Sequence, residues 1–263
     1  MTITAKDVQN LRQATGVGMM DAKRALEANN GDMEAAVQWL RVQGLASAAK
    51  RADRDASEGA VAVVRDGNVA AIVELRCETD FVAKSQEFVA LADEIAARVV
   101  ADGDQSIVHF KENIEVMLTT LKENISIGRV YRLEAGPDEV IDTYLHIQAG
   151  RGVNAAIVVL KDASEEVAHE ILLHIAFAKP QYLTRDDVPQ AEIDAERKTI
   201  EEITRNEGKP EAALPKILEG RLNGWFKERV LVDQAYVKDE KESVQQFLKG
   251  ATISAYAQVV IGG

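Results

Sequence analysis

The apolar run Ala70-Ala71-Ile72-Val73-Glu74-Leu75 returns further along the chain as Ala155-Ala156-Ile157-Val158-Val159-Leu160. Each copy forms the second arm of a hairpin. The first hairpin joins Ala60–Val64 to Val69–Leu75 through Asp66-Gly67, and Asp-Gly between apolar runs is a strong hairpin signal. The second joins Val140–Gln148 to Val153–Leu160 through a Gly150-Arg151-Gly152 turn. Helical spacing follows both, over about residues 84–100 and from Ser164 to Ala178. Two β-β-α units of one build imply two related subdomains. A helix over 107–124 and an extra strand at Arg129–Glu134 lie between them, and Ile253–Ile261 is a final strand able to return to the second sheet.

Three short helices precede the duplication. Thr4 caps the first, which buries Val8 and Leu11 and ends at Gly16-Val17-Gly18. The second runs roughly Met19–Asn29, and Asn30-Gly31-Asp32 supplies a stop and a new cap. The third buries Ala36, Val37 and Leu40, with Trp39 half-covered. A module of about 45 residues is near the lower limit for a freestanding core. Residues 46–58 are a hydrophilic, partly helical linker.

In the stretch 189–229, Pro189 opens a helix with Ile193, Ile200 and Ile203 at heptad-like spacing. Asp194/Lys198 and Glu201/Arg205 are i,i+4 pairs on it. Gly208-Lys209-Pro210 breaks it. A second helix carries Leu214, Leu218, Leu222 and Trp225, with Pro215 in its first turn. The pair reads as a protruding antiparallel coiled-coil hairpin that offers a dimerisation surface, or as an arm packed on its own core. Ser243–Lys249 is a last short helix. The expected class is α+β. The expected division is a three-helix module at 1–45, a linker at 46–58, a core N-subdomain at 59–135, and a core C-subdomain at 136–263 with the hairpin inserted at 189–229.

Of the 263 residues, 46% are hydrophobic and 28% charged, as in an ordinary globular protein. No apolar run approaches the ~20 residues that cross a bilayer. Met1 leads straight into a polar helix signal, and acidic residues follow soon after, so a secretory or transit peptide is not expected and the cytoplasm is. Cys77 is the single cysteine, which excludes an intramolecular disulfide and a Cys-based zinc site. Net charge is −12, all of it beyond residue 58. Nucleic-acid binders present a basic footprint, so direct RNA or DNA binding is not expected.

The segment Cys77-Glu78-Thr79-Asp80-Phe81-Val82-Ala83-Lys84 stands at a strand-to-helix corner. Thr79 and Asp80 are short polar residues able to accept the unpaired N–H groups of a helix start. Phe81 follows in the first turn. Its ring either tucks beneath the sheet, the commoner fate of an apolar residue there, or points outward as an anchor for a partner.

Catalytic constellations are not evident. Gly150-Arg151-Gly152-Val153-Asn154-Ala155 imitates a dinucleotide fingerprint, but a strand follows it, so it reads as a hairpin turn. His169-Glu170 with His174 imitates a zinc helix, but i,i+5 spacing sets the rings about 140° apart, so a surface and a partly buried histidine are expected. Cys77 reads as core filling. A hydrolase using His146 or Cys77 therefore has little support. A scaffold built on residues 1–45 is the other rival class.

Four separated motifs carry a resemblance. They are Leu11-Arg12-x-x-Thr15-Gly16-x-Gly18-Met19-Met20-Asp21-x-Lys23-x-Ala25-Leu26, Cys77-x-Thr79-Asp80-Phe81-Val82-Ala83, His174-x-Ala176-x-x-Lys179-Pro180, and Gly208-Lys209-Pro210 through Glu219-Gly220-Arg221. In this order the chain resembles the bacterial elongation factor Ts family. The resemblance implies a guanine-nucleotide exchange factor for the GTPase elongation factor Tu, with no cofactor and no chemical active site. It implies a ubiquitin-associated-like N-terminal module, a two-subdomain core and the coiled-coil hairpin. It also implies that Thr79, Asp80, Phe81 and Val82 insert into the GTPase and disturb its magnesium site, which favours an outward Phe81. Arg12, Met19, Met20 and His146 are implied as secondary contacts. A homodimer through the coiled coil, or a 2:2 complex, is an assembly that the surface of the 189–229 hairpin would allow, with a monomer left equally open. Some members continue into a C-terminal module that contacts the GTPase again; this chain ends at Gly262-Gly263, so those contacts are not expected.

Overall fold

The computed structural model describes residues 3–262; the expectations that touch Met1 and Gly263 lie outside them. Three helices open the chain: α1 (Ala5–Thr15), α2 (Met19–Ala28) and α3 (Met33–Ala49). Thr4 and Asp7 form a reciprocal capping box at the start of α1. Gly16 ends α1 at φ +71°, a left-handed conformation that glycine adopts without strain. Leu11, Ala22, Ala25, Leu26, Ala36 and Leu40 close a small core between the three helices. The third helix does not stop near residue 45. The run Leu45-Ala46-Ser47-Ala48-Ala49 is rich in alanine, the best helix former, and carries it on, so the helical part of the 46–58 segment is its first four residues.

Strands β1 (Glu58–Asp66) and β2 (Val69–Cys77) form the first hairpin. The one-turn helix α4 (Asp80–Ala83), the long helix α5 (Gln86–Asp102), a 3-10 segment (Asp104–Phe110) and α6 (Lys111–Thr120) follow. The expected helix over 107–124 is thus split and shortened. Thr119 and Thr120 turn their hydroxyls back onto the carbonyls of Glu115 and Val116, and Lys122 sits at φ +60°. Strand β3 (Ser126–Glu134) completes an antiparallel sheet of order β1-β2-β3.

The second unit comprises β4 (Glu139–Gln148), β5 (Arg151–Lys161) and helix α7 (Glu165–Ala178). Its turn is tighter than expected. Gln148 pairs directly with Arg151, so Ala149 and Gly150, both at positive φ, are the whole turn, and Arg151 and Gly152 already belong to the strand. The chain then makes α8 (Gln190–Asn206), α9 (Leu214–Arg229), a small ribbon of β6 (Ala235–Tyr236) and β7 (Asp239–Ser243), α10 (Val244–Phe247) and β8 (Thr252–Val260). The sequence patterning gave no sign of the ribbon. Strand β8 pairs with β5, giving a second sheet of order β4-β5-β8.

The repeated sextets are the central strands of the two sheets, and equivalent residues face equivalent ways. Ala71, Val73 and Leu75 pack under α5, as Ala156, Val158 and Leu160 pack under α7. Ala70 and Ile72 meet Ala155, Ile157 and Val159 in a core shared by both sheets. The layers therefore run helix, sheet, sheet, helix. The repeat breaks at Glu74, which stands where the second copy has Val159. Glu74 is only 3% exposed. Arg129 on β3 grips its carboxylate through Nε at 3.0 Å and Nη2 at 2.7 Å, and donates its backbone N–H at 3.0 Å. Arg76 adds a bond of 2.9 Å, and Arg129 Nη2 also donates to the carbonyl of Val260 on β8. Burial alone would raise this carboxyl; the bonds from Arg129 and Arg76 bring it down to about 2, and the same contact raises Arg129.

Helices α8 and α9 share a cluster of Ile200, Leu222 and Phe226, with Val188 and Val230 at its base. Pro215 stands in the first turn of α9, as its missing N–H requires. Two details differ from expectation. Ile203 is exposed, and Thr204 is buried in its place by bonding its hydroxyl to the Ile200 carbonyl. Asp194 accepts from Gln190 instead of meeting Lys198, while Glu201 does pair with Arg205.

Candidate partner-binding site

The corner after β2 contains two helix starts in quick succession. Thr79 caps α4, its hydroxyl accepting from Val82 N–H at 3.4 Å, and Ser85 caps α5. Within a single turn of helix, successive side chains point about 100° apart. Ala83 is fully buried and Val82 rests partly on the core beneath α5. Phe81 is thereby turned away and is 83% exposed. Of the two fates open to this ring, the outward one is found. Asp80 bonds Lys84 one turn later at 2.5 Å, and that bond holds its carboxyl below the usual range.

A residue that the sequence reading did not single out braces the corner. Glu123, in the loop after α6, accepts from Glu78 N–H and Thr79 N–H, both at 3.0 Å onto Oε2, and from the Thr79 hydroxyl at 2.5 Å onto Oε1. Its neighbours hold on in both directions. Glu78 accepts from Asn124 N–H at 2.7 Å, and the Asn124 amide donates to the carbonyls of Ala52 and Arg54. Lys122 reaches Asp21 on α2 at 2.6 Å. No short-range pattern marks Glu123, because its partners are set by the fold.

Arg12 on α1 is exposed, as are Met19 (50%) and Met20 (66%) at the start of α2. The Lys122–Asp21 bond brings that start beside the loop carrying Glu123. His146 is exposed near the end of β4, in the other sheet, next to the exposed Ile147. The structure thus gathers Thr79–Val82 into one corner and leaves His146 on a separate element.

The remaining candidates are structural. The Cys77 thiol is buried and donates to the Thr79 carbonyl; burial, then the Glu123 charge, pushes it up to about 12. His169 is exposed beside Asp142. His174 is fully buried, not partly as expected. Val237 N–H donates to its Nδ1, so Nε2 carries the proton toward Gln234, and burial favours the neutral ring. Among the described residues, no cluster of three or more His, Cys, Asp or Glu is placed to hold a metal, and no helix is long and apolar enough to cross a membrane.

Comparison with known proteins gives one answer. The family model "Elongation factor TS" matches residues 78–262. The chain is 42% identical over 274 residues to elongation factor Ts of Clavibacter michiganensis subsp. michiganensis, covering 98% of each. It is 42% identical over 276 residues to elongation factor Ts of Arthrobacter sp. (strain FB24), again covering 98% of each. Elongation factor Ts of Kineococcus radiotolerans is 40% identical over 262 residues, 95% of this chain and 94% of that one.

Proposed function

The chain belongs to the elongation factor Ts family of translation elongation factors, and on that premise we propose that it is the guanine-nucleotide exchange factor for elongation factor Tu, with Phe81 as its wedge. The observation that carries the reading is the 83% exposure of a phenylalanine ring on a braced, doubly capped corner. Exposure alone does not make an anchor, since Phe177 is 78% exposed as well. What sets Phe81 apart is the capped corner, held by Glu123, that presents the ring as an anchor buried on binding is presented. Burying it in the GTPase is worth about 1.5–3 kcal/mol. That energy holds open a partner conformation in which the magnesium site is disturbed and GDP binds weakly. Coupling is reciprocal, so GDP weakens this protein's grip by the same factor. Exchange on this mechanism needs no proton transfer, metal or cofactor on this chain.

Thr79, Asp80 and Val82 set the wedge. Arg12, Met19, Met20 and His146 are secondary contacts, a role supported by their exposure. We assign residues 1–45 to a ubiquitin-associated-like contact module, residues 46–58 to a linker that α3 enters, residues 59–135 and 136–263 to the two core subdomains, and the 189–229 insertion to a coiled-coil hairpin that serves as an arm or a dimer surface. The net charge of −12 favours a protein partner in the cytoplasm over nucleic acid.

The test is release of fluorescent GDP from elongation factor Tu in stopped flow. Phe81→Ala should slow release. With Phe81 83% exposed and so free to be buried on binding, the loss is about 1.2–2.5 kcal/mol, or roughly 8- to 70-fold. Release at the wild-type rate would remove the wedge.

A further inference from the structure

We propose that Glu123 is the positioning residue of the Phe81 corner, its carboxylate fixing the Glu78–Thr79 backbone so that the ring is held outward. This rests on the wedge reading and adds the group that aims the wedge. Phe81 has almost no contact of its own to hold it, so its direction is inherited from the backbone of α4. That helix is a single turn, too short to sustain itself without outside support. Glu123 supplies support at two levels. Its Oε2 collects two successive amides that would otherwise face water at the end of β2, and its Oε1 takes the proton of the Thr79 hydroxyl. The bond from the Thr79 hydroxyl is short at 2.5 Å, and a carboxylate is a stronger acceptor than a neutral oxygen for all three. With its proton so directed, the Thr79 hydroxyl presents a lone pair to Val82 N–H, the bond that caps α4. One carboxylate therefore sets both the last residues of the strand and the first turn that bears the ring.

A carboxylate on a loose loop could aim nothing, but this one is anchored on either side. Asn124 is tied to Glu78 and to the carbonyls of Ala52 and Arg54, and Lys122 to Asp21. Removing the carboxylate lets the corner sample other directions. If the ring is then presented about a tenth of the time, the wedge acts about tenfold less well.

The experiment measures GDP release from elongation factor Tu with the full chain, reading the saturating rate and the half-saturating concentration separately. Glu123→Ala should lower the saturating rate about tenfold and move half-saturation less than threefold, because the other contacts persist. Glu123→Gln keeps an acceptor for the two amides, and its amide N–H can meet a rotated Thr79 hydroxyl, so it should recover most of the loss. In a Phe81→Ala background, Glu123→Ala should add nothing, since its effect passes through the ring. A wild-type rate for Glu123→Ala beside a slow Phe81→Ala overturns this proposal and leaves the wedge standing. A wild-type rate for Phe81→Ala ends both. Equal slowing by Glu123→Ala in both backgrounds marks general damage and also overturns the positioning role. If Glu123→Ala does not fold, Glu123→Met, of similar length and lacking the strong acceptor, replaces it; failure of both to fold overturns the proposal as well.

Discussion

Glu74 makes the stability of this fold depend on acid in a way that one substitution isolates. Its carboxyl titrates at about 2 in the folded chain against an ordinary 4.5. At about 1.4 kcal/mol per pH unit, the folded state holds the ionised form more tightly by about 3 kcal/mol. A carboxyl with a depressed folded value gives its full contribution above about pH 4.5. It loses that contribution progressively as the pH falls from 4.5 toward 2. Glu74→Gln keeps the shape, cannot titrate, and leaves the Arg129 guanidinium without its counter-charge. Urea unfolding of both proteins from pH 6 to pH 3 gives the gap between them at each pH. Other carboxylates held low, such as Asp21, Glu139 and Glu170, lie away from this pair and act alike in both proteins, so they cancel in the difference. The gap should be widest near neutrality, narrow below pH 4.5, and close by about 3 kcal/mol near pH 2. An equal gap at pH 6 and pH 3 would refute the assignment of this ion pair as the seat of the effect.

Phe81→Ala should leave urea stability within about 0.5 kcal/mol of wild type while it slows exchange; a large loss would mean the ring serves the protein's own core. Gly152→Ala would place a methyl 2.1 Å from the Val61 carbonyl oxygen of the facing sheet and 2.7 Å from Leu145 Cδ1. It should destabilise by about 2–3 kcal/mol in the same assay, and no loss would contradict the close sheet approach. Cys77, buried and with its thiol pushed up to about 12, should resist iodoacetamide at pH 8 until urea unfolds the chain. Rapid labelling of the native protein would count against that burial.

The duplication and the corner were legible because both are short-range signals. A short apolar run behind a tight turn, repeated as a sextet, marks the two central strands, and polar residues between a strand and a helical stripe mark a cap. The direction of Phe81 was not legible from periodicity. It depends on a separate turn at 80–83 that interrupts the stripe, and the family resemblance supplied what spacing could not. Glu123 and the Glu74–Arg129 pair were invisible for a common reason, since each carboxylate meets donors 44 to 55 positions away in the chain. Ile203 misled because heptad spacing does not say which residue of a pair turns inward. Thr204 could be buried because a hydroxyl can satisfy itself on its own helix.

The joint between the first three helices and the rest of the chain has a physical character of its own. Their core is closed upon itself, and the attachment to α6 and the loop after it draws on polar and close contacts: Gly44 lying close against Thr119, Gly16 near Thr120, Arg51 donating to the Leu118 carbonyl, Arg41 reaching Glu112 and Glu115, and Lys122 reaching Asp21. The cations in these bridges are at least half exposed, where water screens an ion pair and added salt weakens it further. Ionic strength therefore acts as a dial on how firmly the leading helices are moored, while the greasy interiors on either side of the joint are indifferent to it.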